Sequence, residues 1–327
     1  MSAVRLSVAT ADYDHLRDLV TGTIPVDGVD PVWMVLPVEE IFHRFFVHGE
    51  FDVAEVSMAR YAQYRAAGGD EFVALPVFPS RVFRHRAFCV RRDSPLTSLE
   101  GLAGKRVGVP EWVQTAGVYA RAVLAHHGVG LDTITWVQAG LRQPGRREHV
   151  PPSLPAGVSI TAVTDRSLSD MLASGDLDAL ITAREPRLED APGGGPFRPL
   201  LPDARDRERA YFDATGVFPI MHTIAVRRRL LDAHSWIATA LYKAFCRARD
   251  ASLERIADTA VSRIPVAWLP QIAADPSAPG FGWPYGVQAN LATLEAFLHH
   301  CHDQGICATR LAPQDAFLTH VQDLYRV

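Results

Sequence analysis

No stretch of this 327-residue chain stays apolar long enough to cross a bilayer: the longest run, residues 31–38, falls far short of the ~20 residues a spanning helix needs. No membrane partner is expected. Cysteine is scarce, and the four present, Cys89, Cys246, Cys301 and Cys307, include no CxxC pair, which argues for buried thiols rather than disulfides or a structural zinc site. An excess of basic charge is also missing. With 33 Lys and Arg against 37 Asp and Glu the net charge is -4, so nothing is in place to neutralise a phosphate backbone, and nucleic acid is not an expected partner. Residues 101–105 hold a Gly-Lys pair without Walker spacing, and no GxGxxG, HExxH, GxSxG or acidic calcium loop occurs. That removes nucleotide binding and the commonest hydrolase chemistries. The amino terminus lacks the basic and then apolar regions of a secretory signal, so the chain, taken as complete, is expected in the cytoplasm.

What is there is ordinary globular material, with 48% apolar and 21% charged residues. The length exceeds what one core usually supports, so two domains of roughly 150 residues are expected. Residues 4–9, 13–20 and 32–36 read as a βαβ opening. A helix over 38–48 carries Ile41, Phe42, Phe45 and Phe46 on one side, followed by a strand at 51–55, a helix at 58–67, and strands at 72–77 and 83–90. A second α/β unit has strands at 106–109, 134–137, 159–162 and 179–183, helices at 115–127 and 167–173, and loops at 140–157 and 192–196. A strand at 217–226 reads as a return to the first unit, before helices at 232–257, 287–304 and 314–324. The expected architecture is two-lobed α/β. Lobe one comprises residues 1–85 plus 225–327 and lobe two residues 86–224, with two crossing strands and a helical carboxy-terminal tail. A cleft between such lobes is the natural small-molecule site.

Several segments carry chemistry. Pro79-Ser-Arg-Val-Phe-Arg-His-Arg86 gathers Arg81, Arg84 and His85 at the first crossing, as an anion clamp would, or as a solvated charge run. Val109-Pro-Glu-Trp-Val-Gln-Thr115 lies between a strand and a helix, where free N–H groups and the Thr115 hydroxyl suit an anionic group; an ordinary helix cap is the plainer reading. Glu111 in that turn is an acid, a base or simply exposed. Phe218-Pro-Ile-Met-His222 ends in a histidine at the second crossing, opposite Arg84 and His85, as a catalytic group or as a satisfied core residue. Gly280-Phe-Gly-Trp-Pro-Tyr-Gly286 supplies aromatic surface from Trp283 and Tyr285, as the wall of a ring pocket or as a packing plug. The His299, His300, Cys301, His302 and Cys307 group offers metal-ligand types. Neighbouring helical residues fan around the axis, however, and only pairs such as His299 and His302 share a face, so no metal site is expected.

In this order, these segments resemble the 4,5-dihydroxyphthalate decarboxylase family, related to periplasmic solute-binding proteins of the type II fold. The carriers are Phe51-Asp-Val-Ala-Glu55 with Ser57, Pro76-Val-Phe-Pro-Ser-Arg81, Phe83-Arg-His85, Gly104-Lys-Arg-Val-Gly-Val-Pro-Glu111, Met171-Leu-Ala-Ser-Gly-Asp-Leu-Asp-Ala179, Thr215-Gly-Val-Phe-Pro-Ile-Met-His222 and Trp283-Pro-Tyr-Gly-Val287. The resemblance implies a type II binding-protein-like fold and non-oxidative loss of CO2 from a dihydroxylated aromatic diacid, without an organic cofactor. One departure stands out: Trp112-Val-Gln-Thr115 occupies the place of a family Tyr-Gln-(Met or Leu)-Thr sequence, so the substrate is open to differ from 4,5-dihydroxyphthalate.

On that reading the enzyme protonates a ring carbon. His222 or His85 is the expected acid by type, and Glu111 would need a raised pKa to compete. Arg81, Arg84 and Arg184 would hold the remaining carboxylate, Ser57, Gln114 and Thr115 would orient the hydroxyls or the other carboxylate, and Phe218, Trp283 and Tyr285 would supply apolar wall. The alternative readings are a cytoplasmic binding or sensing protein without catalysis, and a related enzyme acting on a non-aromatic carboxylate. Self-association into a homo-oligomer is compatible with the sequence.

Overall fold

A computed structural model of the protein describes residues 3–187 and 195–321. Most of the loop expected at 192–196 and the end of the last expected helix, residues 322–324, lie outside the described residues.

The strands are β1 (Val4–Thr10), β2 (Val29–Val35), β3 (Val53–Ser57), β4 (Phe72–Leu75), β5 (Phe88–Arg91), β6 (Arg106–Val109), β7 (Thr135–Gln138), β8 (Ile160–Ala162), β9 (Ala179–Ile181), β10 (Phe197–Pro199) and β11 (His222–Arg227). They form two mixed sheets, of order β2-β1-β3-β11-β4 and β10-β5-β9-β6-β7-β8. In the first, β1 runs parallel to β2 and β3, while the returning β11 lies antiparallel between β3 and β4. In the second, β6, β7, β8 and β9 are parallel, and β5 is antiparallel to β9 and β10. Every residue of β3 is buried, which is why that strand reads as an almost unbroken apolar run and why its one carboxylate, Glu55, is conspicuous.

Helices bury one face on these sheets. Helix Val38–His48 places Ile41 and Phe45 in the core and ends at Gly49, whose φ of 67° supplies the left-handed cap that other residues adopt only with strain. Helix Thr115–His126 is buried from Thr115 through Leu124, and helix Leu291–Asp303 packs on both it and helix Met58–Ala66. The carboxy-terminal helices therefore tie the two sheets together. Among the described residues no helix is long and apolar enough to cross a membrane.

The chain passes between the sheets over residues 76–87 and again over residues 200–221. The two passes meet in a short antiparallel contact: Arg81 bridges to Ile220, Met221 N–H donates to Ser80 O (2.8 Å), and Val82 N–H donates to Pro219 O (3.2 Å). Neither pass is the long strand expected from the sequence. A 3-10 turn at His85–Ala87, closed by Ala87 N–H to Arg84 O (3.0 Å), delays β5 until Phe88. On the return, the ladder begins only at His222, because Pro219 has no N–H to contribute and a single bridge is all the crossing geometry allows. Strand β10 and helix Ala204–Thr215, which were not anticipated, fill the interval before the return.

Candidate active site

The site starts from strand register. In the β3–β11 pair His222 lies opposite Ser57, and Ile224 lies opposite Glu55. Side chains alternate along strands, so Glu55, Ser57 and His222 emerge on one face, with Glu55 diagonal to His222 and within reach of it. Glu55 is wholly buried, and its Oε1 sits 2.6 Å from His222 Nδ1. The Tyr13 hydroxyl donates to the same oxygen (2.6 Å), and Ala11 N–H donates to Oε2 (2.8 Å). Burial works to raise the Glu55 carboxyl. The bond and charge of His222, with the two other donors, outweigh it and hold the group below the ordinary carboxylate range. Tyr13, pushed far up by burial and by Glu55, stays a neutral donor. An acceptor at Nδ1 fixes the proton there and leaves His222 Nε2 as the nitrogen available to the cavity. Phe42 stands edge-on to the imidazole at 5.0 Å and closes its other side.

His222 lines a cavity of about 500 Å³ between the sheets. The first sheet contributes helix Val38–His48, Ser57 and Arg60; the second contributes Arg84, the turn at 111–116, Arg146, Ala183 and Arg184. Ser57 Oγ and Thr115 Oγ1 are 3.0 Å apart, and Ala59 N–H donates to Thr115 Oγ1 (3.0 Å), so a hydroxyl pair joins the two walls at the start of helix Thr115–His126. That helix end presents N–H groups without intrahelical acceptors. The Gln114 Oε1 atom is buried without a hydrogen-bond partner.

Cations surround this helix start. The Arg84 guanidinium donates only to the thioether of Met221 (3.1 Å from Nε, 2.8 Å from Nη2) and forms no ion pair among the described residues. Burial lowers it to about 10, with Glu208 opposing, so it remains charged at neutral pH. Arg60, stacked over Phe46 at 4.9 Å, likewise has no ion pair among the described residues. Two further arginines are engaged: Arg146 with Glu111 (2.8 Å), and Arg184 with Glu39 through two 2.9 Å bonds that span the cavity mouth.

Seven of the residues singled out in the sequence thus line one cavity: His222, Ser57, Arg84, Glu111, Gln114, Thr115 and Arg184. Five do not. Arg81 is buried in the crossing, donating to Asn290 Oδ1 (2.7 Å) and Phe218 O (2.8 Å). His85 is buried against Tyr211, and burial, aided by His127, Arg207 and His126, lowers it to about 4, which leaves it neutral and away from the cleft. Phe218 stacks under Arg81, Trp283 donates to Phe78 O (2.8 Å), and Tyr285 is buried beneath Arg249; these are packing plugs of the crossing. Trp112 also turns inward, meeting Trp136 edge-on at 5.1 Å, so the departure at this turn reaches the cavity only through Val113, Gln114 and Thr115.

Sequence reasoning missed Glu55 and Tyr13 as partners of His222, and Arg60 as a cavity cation. A signal existed for the first: a carboxylate inside Val53-Ala-Glu-Val-Ser57, an otherwise apolar strand, demands a partner. It also missed Glu148, in the loop expected at 140–157, which accepts from the N–H groups of Trp112 and Val113 and so braces the turn. Burial, with the charge of Glu111, raises Glu148 to about 7. Among the described residues no three or more His, Cys, Asp or Glu side chains gather as a metal site would require.

Over 97% of its length the chain is 37% identical to a 4,5-dihydroxyphthalate decarboxylase of Comamonas testosteroni, 97% of which is covered. The chain belongs to the 4,5-dihydroxyphthalate decarboxylase family. A second relative of the same name, from Pseudomonas putida, is 44% identical over 57% of this chain and 73% of its own. Proteins so named are carboxy-lyases. A family model described as an ABC transporter, phosphonate, periplasmic substrate-binding protein matches residues 9–144. The fold is shared with the periplasmic aliphatic sulphonate-binding protein SsuA of Escherichia coli (TM-score 0.53, 13% identity, 97% of this chain and 92% of that one). It is shared too with the desulfurization enzyme DSZB, in a mutant complexed with biphenyl-2-sulfinic acid (TM-score 0.54, 18% identity, 98% and 97%). The type II binding-protein-like fold thus occurs in both binding proteins and an enzyme.

Proposed function

We propose that the chain decarboxylates a dihydroxylated aromatic diacid such as 4,5-dihydroxyphthalate in this cleft, with residues 1–85 plus 225–327 acting as one lobe and 86–224 as the other, and with His222 as the proton donor. The observation that carries this reading is the Glu55–His222 pair on the wall of a cation-lined cavity. A binding protein needs the cations; it has no evident use for a buried carboxylate paired with a histidine that faces the cavity. The names of the two relatives support the substrate class.

The chemistry follows from the substrate. Each carboxylate of 4,5-dihydroxyphthalate has a hydroxyl para to it. The imidazolium Nε2–H of His222 gives its proton to the ring carbon bearing one carboxylate, while the para hydroxyl oxygen, keeping its own proton, supplies electron density and shares the positive charge that the ring acquires. The carbon–carboxylate bond then breaks, its electron pair restores the ring, and CO2 departs. The sum is one proton gained at carbon for one CO2 lost, giving 3,4-dihydroxybenzoate; the protonated ring itself receives the bond pair, the part an organic cofactor would otherwise play. The retained carboxylate is held by Arg84, Arg60 and the helix start at Thr115, where charged hydrogen bonds are strongest. Gln114 Oε1, a buried acceptor without a donor, matches a substrate hydroxyl.

The test is incubation with 4,5-dihydroxyphthalate in deuterated water without added cofactor. CO2 release and one deuterium at C6 of 3,4-dihydroxybenzoate are expected. Tight binding without turnover, across a panel of hydroxylated aromatic acids, would instead favour a binding protein.

A further inference from the structure

A second cavity, of about 560 Å³, adjoins the cleft along the crossing segments and shares only Arg84, Ala183 and Arg184 with it. Among the described residues its lining carries five guanidinium groups, from Arg81, Arg84, Arg86, Arg184 and Arg198, against the two carboxylates of Glu185 and Glu208. Three of the five donate only to neutral acceptors. Arg81 uses Asn290 Oδ1 and Phe218 O, Arg84 uses the Met221 sulfur, and Arg198 uses the carbonyls of Ser94, Leu96 and Pro199. Arg86 has no ion pair among the described residues, and Arg184 is paired outside the cavity, with Glu39. Burial raises the carboxyl of half-buried Glu208 against the pull of Arg86 and Arg84. Five guanidinium groups against two carboxylates make the described lining electropositive. Its apolar wall is aromatic: Phe83, Phe197 and Phe218 line it, with the Phe83 and Phe218 rings 5.0 Å apart at centroid and tilted by 41°.

An anion with a flat apolar body fits both properties, its carboxylate on the arginines and its ring on the phenylalanines. Arg84 borders both chambers, so an anion in this one engages a guanidinium that the cleft also needs. We propose that this cavity is a second, inhibitory site for an aromatic monocarboxylate, the class of compound the cleft would release, and that it acts on the cleft through Arg84. The identity of that ligand as product rests on the reading of the cleft given above; the existence of the site does not.

The probe is 3,4-dihydroxybenzoate, titrated calorimetrically into the intact chain and used as an inhibitor of turnover. Two sites per chain and a mixed inhibition pattern are expected. Arg86→Glu, at an exposed position outside the cleft, should weaken one site at least 10-fold, leave kcat/KM within 2-fold, and convert the inhibition to purely competitive. Phe197→Ala serves as the second variant should Arg86→Glu melt below the wild type. A single site with competitive inhibition in the wild type overturns the inference, as do two sites that survive in both variants. Two sites reduced to one in a chain that turns nothing over would sustain this inference while the reading of the cleft fails.

Discussion

Glu55→Gln keeps the shape of the buried side chain and removes its charge, which makes it the sharpest probe of how the cleft works. Glu55 accepts from three donors, His222 Nδ1–H, the Tyr13 hydroxyl and Ala11 N–H, and an amide has only one oxygen. Whichever way the glutamine turns, its NH2 meets a donor, so stability should fall by ~1–3 kcal/mol, the cost of an unmatched buried polar group. The larger effect is on turnover. A charge-assisted hydrogen bond contributes ~1.5–3 kcal/mol, and each 1.36 kcal/mol is about a factor of ten in rate, so kcat, measured by CO2 release, should fall ~10–100-fold, with KM little changed because Glu55 touches no substrate. A folded Glu55→Gln enzyme with kcat within ~3-fold of wild type would refute the coupling.

Arg84→Ala should weaken binding of an aromatic dicarboxylate by ~1.5–3 kcal/mol, seen by calorimetry, since among the described residues the guanidinium forms no ion pair and donates to a thioether. Glu39→Gln breaks an exposed ion pair worth ~0.2–1 kcal/mol, so Tm should move by about 2 °C or less while freed Arg184 tightens the same ligand ~1.5–5-fold at low salt. Burial lowers both His15 and His85 from 6.5 to about 4. The unfolded chain therefore takes up protons that the folded chain refuses, and stability present above pH 6.5 is lost as pH falls toward 4. Denaturation at a series of pH values should show that slope, shallower in His85→Phe; a flat profile would mean that these imidazoles are solvated.

Much of the fold could be read from the sequence, because alternation and helical spacing report burial on one face, as in β1 and helix Val38–His48. The crossings resisted that reading. Residues 83–90 look like a strand because Phe83, Ala87, Phe88 and Val90 are apolar, yet the segment turns at His85–Ala87 to enter the second sheet, a constraint set by distant partners. The same constraint explains the site. Arg81, His85, Phe218, Trp283 and Tyr285 belong to the crossing, and their types suit packing there as well as they suit a ligand. Glu55 and His222 are 167 residues apart, and only the β3–β11 register brings them together. The family motifs marked both segments without saying that they touch.

His222→Ala, assayed for turnover of 4,5-dihydroxyphthalate and for binding of the same compound, tests the central claim most directly. A general acid acts chiefly in the transition state and contributes ~100–10,000-fold, so turnover should fall by that factor while Kd shifts by only a few-fold. Near-normal turnover in a folded His222→Ala protein would contradict the assignment of His222 as proton donor.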